Sequence, residues 1–197
     1  MLGFGKRRGD ARDSRDEPDD AFVALGFGAF QVYDAETSRI NSAVVSAITA
    51  KDVRVIAADW RGVQFWVEAR VAVDGDDDDA MVSMFDPSTM VSDTVIEQKP
   101  FVEAIISGSV VAGVDAEGLR AWLDERELES LPPNTCVPVY PQQFITGSEG
   151  RELLSPESYS TPDWLIFCAK SLAVMNTLGL RSGEPLPPDF HDRVAAL

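Results

Sequence analysis

Residues 53–87 carry a repeated strand signal, apolar stretches divided by turn formers. In the longest run, Val63, Phe65, Val67, Ala69, Val71 and Val73 are interleaved with Gln64, Trp66, Glu68, Arg70 and Ala72. Successive side chains of a strand point to opposite faces, so this spacing specifies a sheet with one buried face and one that is wet unless covered. Two turn signals divide the stretch. Asp59-Trp60-Arg61-Gly62 is the first, with Gly62 free to adopt a positive φ. Asp74-Gly75, extended by Asp76, Asp77, Asp78 and Asp79, is the second. The expectation is a meander of strands at 53–58, 63–73 and 80–85, the last stopped by Asp86-Pro87. So few strands are marginal alone and need helices packed on them.

The helices have recognisable starts. Asp34 can cap a helix over 35–50 whose stripe is Ile40, Val44, Val45 and Ile48. Before it, 21–33 reads as a strand with a tight turn at Gly26 and Gly28. Pro100 suits the first turn of a short helix over 101–106, ended by Gly108. Val110, Val111 and Val114 read as a short strand. Asp115 caps a helix over 116–129 with Leu119, Trp122 and Leu123 inward. Residues 131–163 are rich in turn formers, with a short strand at 137–140. Thr161-Pro162-Asp163 opens a last helix carrying Trp164, Leu165, Cys168, Leu172, Met175 and Leu178, and Gly179 stops it. This order predicts an α+β fold, an antiparallel β-meander sheet covered by several helices in a single domain over 21–180. Residues 1–20 hold five basic and six acidic side chains, a charged lead that cannot build a core. Their basic residues are followed by no apolar stretch of the kind a secretory signal has. Residues 181–197 form a proline-rich tail, expected as a surface wrap or a loosely ordered end.

The formal net charge of −16 opposes binding to nucleic acid or anionic membranes, and it steers basic partners inward. No apolar run approaches the roughly 18–20 residues that span a bilayer. The expected location is the cytoplasm, with Cys136 and Cys168 as reduced thiols.

Catalytic equipment is sparse. The aspartates at 74, 76 and 78 begin like a calcium loop, but Asp79 stands where glycine is needed and Phe85 where a bidentate glutamate is needed. Gly26-Phe27-Gly28 lacks the third glycine and the βαβ setting of a dinucleotide loop. Cys168 lies on an apolar helix face, and His191, the one histidine, sits in the tail. No cofactor, zinc site or catalytic residue is expected, and the reading is a non-enzymatic protein-binding domain. A deep pocket with a raised carboxylate would favour an enzyme instead. The expected partner surface is acidic: Glu68 and Asp76, Asp77, Asp78 and Asp79 facing a basic protein. Trp66 would be its desolvated anchor if exposed, or part of the core if helices cover both faces of the sheet.

Three stretches carry a resemblance. Asp59-Trp60-Arg61-Gly62-Val63-Gln64-Phe65 is an acid–aromatic–x–Gly–x–Gln–aromatic strand entry. Met84-Phe85-Asp86-Pro87-Ser88-Thr89 precedes a Phe-containing helix, and Pro138 to Glu149 is a proline–aliphatic segment ending in Gly and acid. Together with the last helix they resemble the SUKH superfamily and related type VI secretion immunity proteins over roughly 22–178. The late double glycine of that family is Thr146-Gly147 here. The resemblance implies an immunity protein that occludes the active site of a cognate toxin, many such toxins being nucleases with basic sites, with no catalytic residues of its own. The alternative is a regulatory or scaffold protein of the same fold without a toxin partner.

Overall fold

The computed structural model describes residues 21–70, 80–146 and 153–197. Six strands pair antiparallel in sequence order: β1 (Val23–Leu25), β2 (Phe30–Val32), β3 (Val53–Asp59), β4 (Gln64–Glu68), β5 (Met81–Asp86) and β6 (Val91–Glu97). The β1–β2 turn is a 3-10 segment at Gly26–Gly28. Gly28 has φ 95°, and a Cβ there would stand 2.9 Å from Leu131 Cβ, so only glycine lets the Leu131 backbone settle over this turn. Leu131 N in turn donates to Phe27 O.

The meander is longer than the alternation indicates. β6 is an edge strand whose valines Val91 and Val95 are exposed, so no clean buried face marks it in the sequence. The long strand is shorter, ending at Glu68 before a turn at Ala69 and Arg70. The expected aspartate turn at 74–79 lies outside the described residues, as does the charged lead.

Both faces of the sheet are covered. On one, α1 (Ala35–Thr49) and α6 (Thr161–Leu178) close over Tyr33, Val45, Val55, Trp66, Phe85 and Leu165. On the other, α2 (Gln98–Ile106) and α3 (Val110–Gly113) close over Phe30, Ala57, Val67, Val82 and Phe101. A register shift between Val55 and Ala57 inverts the alternation in β3, which is why these two residues face opposite layers. Trp66 is therefore core, 4% exposed, and is not the surface anchor that an acidic docking face on β4 requires. The covered-sheet alternative holds, and Gln64 beside it is buried too, donating to Gly62 O and accepting from Tyr33 Oη.

Local signals set the helix ends. Asp34 Oδ1 accepts from Thr37 N at 2.7 Å, and that bond to the charged form holds the Asp34 carboxyl below its usual range. Asp115 caps α4 (Ala116–Asp124) through Gly118 N, and Leu119, Trp122 and Leu123 pack against Ala29, Trp60, Leu131 and Val137. Residues 110–113 are a helical turn, not a strand, since their amides bond back to Gly108 and Ser109. Past Gly179 the chain packs again. α7 (Phe190–Ala195) buries Phe190 and Val194 against Val174 and Met175, so the packed body continues beyond residue 180.

Candidate functional site

Within the turn-rich segment 131–163, the described residues shape a concave face. Two short ribbons shape it. β7 (Thr135–Cys136) pairs with β10 (Tyr159–Ser160), and β8 (Val139–Tyr140) pairs with β9 (Leu153–Leu154). The first ribbon is fixed to the sheet by Gln31, whose Nε2 donates to Thr135 O at 2.9 Å and whose Oε1 accepts from Asn134 N. α6 starts directly after β10, with Ser160 in the cap position and Thr161 buried as its first helical residue.

An apolar groove of about 730 Å³ lies between the β8–β9 ribbon, β10 and the first two turns of α6. Its walls are Pro138, Tyr140, Pro141, Leu153, Leu154, Pro156, Tyr159, Trp164 and Phe167. Leu153 is 72% exposed, and Tyr140, Leu154 and Tyr159 are exposed as well. Trp164 stacks on Phe167 with centroids 5.6 Å apart, giving the floor a rigid aromatic surface. Ser155, a polar residue of the lining, is committed. Ser155 O accepts from Trp122 Nε1, and Ser155 Oγ accepts from Glu157 N. The charged lining group is Asp163, exposed in the first turn of α6.

Across the ribbon is a polar cleft of about 330 Å³ lined by Asp59, Arg61, Asp86, Ser88 and Gln143, the first residue of α5 (Gln143–Thr146), with Val63, Val139 and Leu154. Asp59 is 7% exposed. Its Oδ1 accepts from both Arg61 N and Val63 N at 2.9 Å, building the turn that the sequence predicts there. Desolvation pushes its carboxyl up to about 7, against those two bonds and the Arg61 charge. Asp86 repeats the pattern. Its Oδ1 accepts from Ser88 N and Ser88 Oγ. Arg61 is occupied elsewhere, with Nη2 on Asp115 and its guanidinium over the Trp60 ring at 4.8 Å.

Of the expected acidic face, Glu68 is the acid that lies among the described residues. Glu68 is exposed and pairs with Arg70 at the far end of β4. Gln64 pairs with Phe85 at the other end, so the cleft and Glu68 sit at opposite ends of the sheet. Asp76, Asp77, Asp78 and Asp79 fall outside the described residues. Sequence reasoning missed the groove; its signal was the pair Leu153-Leu154 and the Pro138-Val139-Tyr140-Pro141 run, apolar residues in a turn-rich stretch.

The thiols are inert in place. Cys136 and Cys168 are unbridged and buried beside Trp164, and burial pushes the Cys136 thiol up to about 12 and the Cys168 thiol well above its ordinary range. His191 lines a different cavity with Asp163 and Lys170. Among the described residues no group of three or more His, Cys, Asp or Glu is placed to hold a metal ion, and no helix is long and apolar enough to cross a membrane. Compared with family models, curated proteins and solved structures, the chain matches none.

Proposed function

We propose that this is a non-enzymatic protein-binding domain of the immunity kind, which docks a basic protein partner on the groove face and occludes that partner's working surface. The observation that carries the reading is the groove, a largely apolar exposed surface of aromatic, leucine and proline side chains. A concavity of that make-up buries apolar side chains well but offers little to orient a polar metabolite. The partner's sign is argued from charge: the chain carries −16, and the groove's charged margin is a carboxylate. The resemblance to immunity proteins supports the same role, with a toxin as the partner. A regulatory or scaffold protein would use the groove in the same way, and a toxin gene beside this one separates the two.

The test compares tagged wild-type protein with a Leu153→Ser/Tyr159→Ser double variant in capture from the native host, at low and high salt. A basic protein held by the wild type, lost by the variant and released by salt supports the proposal. Equal capture by both removes the groove from it.

A second reading, an acid–base enzyme, is favoured by Asp59, since a carboxyl near 7 inside a cleft is poised for proton transfer. Its Oδ1 is committed to the turn, which accounts for its burial without catalysis. Turnover of nitrophenyl ester or phosphoester substrates that disappears in Asp59→Asn is the result that would establish it.

A further inference from the structure

Asp59 is electrostatically incomplete. Its side chain is more than nine-tenths buried and lines an open cleft, and both of its hydrogen bonds fall on Oδ1. Oδ2 takes no hydrogen bond or ion pair among the described residues. Asp86, in the same cleft, likewise uses Oδ1 for its own turn. Arg61 lines the same cleft, but its Nη2 pairs with Asp115 and its guanidinium lies over the Trp60 face, and its charge offsets only part of the desolvation of Asp59. A carboxylate taken out of water without a direct ion pair is costly, and the cost is recovered when a cation is brought into contact with it. The desolvation that raises the Asp59 carboxyl measures the same deficit.

The cleft also adjoins the groove. Leu154 lines both, and β8 contributes Val139 to the cleft and Tyr140 to the groove. A partner lying across the ribbon meets an apolar site on one side and two half-used carboxylates on the other.

Resting on the protein-binding reading, we infer that the Asp59–Asp86 cleft is the receptor for an arginine or lysine side chain of the partner whose apolar residues fill the groove. Asp59 Oδ2 and Asp86 Oδ2 accept from the incoming cation, while the two Oδ1 atoms keep the turns closed. The groove supplies affinity through buried apolar area, and the cleft supplies selection for charge.

The test uses the full chain and small probes followed by amide NMR at mildly alkaline pH, where Asp59 is ionised. Nα-acetyl-arginine methylamide should shift the Arg61, Val63 and Ser88 amides saturably. The neutral citrulline analogue, and the Asp59→Asn and Asp86→Asn variants, should each weaken that binding by about tenfold. Asparagine keeps an Oδ1 acceptor, so both turns survive the substitutions. Equal binding of citrulline, unchanged affinity in both variants, or shifts that never saturate would overturn the inference. Nα-acetyl-tryptophan amide, read at the Trp164 indole, tests the groove separately. If it binds and the arginine probe does not, the cleft inference fails and the protein-binding reading stands. If the arginine probe binds alone, the cleft stands and the groove reading fails. If neither binds, both fail.

Discussion

Val139 and Leu154 face each other across the β8–β9 ribbon, and this one pair forms the partition between the apolar groove and the polar cleft. The arrangement follows from a strand pair two residues long, in which neighbouring side chains take opposite directions. Val139 turns to the carboxylates while Tyr140 turns to the aromatic floor. Two chemistries thus share one small wall, as the proposed docking of a partner both apolar and basic requires.

Truncating the groove should cost affinity without costing stability. Leu153 and Tyr159 are exposed, so Leu153→Ser/Tyr159→Ser should change unfolding free energy by no more than about 1 kcal/mol. As central contacts of an interface, they should together weaken binding by roughly 30-fold or more. Urea denaturation and titration calorimetry with the captured partner check the two halves.

Asp59 should make stability depend on pH in the direction opposite to a salt-bridged acid. Its folded-state carboxyl is raised to about 7, so between the ordinary aspartate range and that value the folded chain holds a proton that the unfolded chain has released. Its contribution is therefore complete in acid, below the unfolded value, and is lost as pH rises through 7. The full span is on the order of 4 kcal/mol. Asp59→Asn preserves the Oδ1 acceptor for Arg61 and Val63. The variant should be the more stable protein at pH 8, and its advantage should shrink toward pH 4. Paired denaturant curves across that range read the difference directly, and an advantage that does not change with pH would refute the assignment.

What the sequence makes legible is local. Asp34 and Asp115 mark helix starts because a cap needs only its own next turn, and Gly62 marks a turn because its φ of 91° excludes side chains. The α+β meander follows from the period-two run. Burial across layers is not local. Gln64 and Trp66 sit on the nominally polar side of β4, and only α1 and α6, folded over from either end of the chain, decide that this side is dry. The groove is harder still. It joins 138–141, 153–159 and 163–167, none of which shows a periodicity that would mark it as functional. Yet all three stretches that carry the immunity-protein resemblance contribute to this face, through Asp59, Arg61 and Val63, through Asp86 and Ser88, and through Pro138, Tyr140 and Gln143.

Trp66 and Glu68, two positions apart on β4, should respond in opposite ways. Trp66→Ala removes a buried ring from the cluster with Tyr33, Val45 and Phe85 and should destabilise the fold by about 3–5 kcal/mol. Glu68→Ala loses only an exposed pair with Arg70 and should stay within about 0.5 kcal/mol of wild type. Thermal unfolding of the two variants measures both, and a stable Trp66→Ala protein would mean that α1 and α6 do not close over the sheet.

The cysteines should be silent in the folded protein. Thiolate is the reactive form, and burial raises both thiols beyond the range where thiolate forms at neutral or mildly alkaline pH. Cys168 Sγ accepts from Gln142 Nε2 at 3.8 Å, a contact that favours the thiolate but is outweighed by burial. Ellman's reagent at pH 8 should therefore label neither Cys136 nor Cys168 in native protein on the timescale of minutes. In denaturant both free thiols should react at once. If labelling of the native chain is rapid, the α6 end of the core is open to solvent, and the aromatic floor of the groove cannot be the rigid surface formed by Trp164 and Phe167.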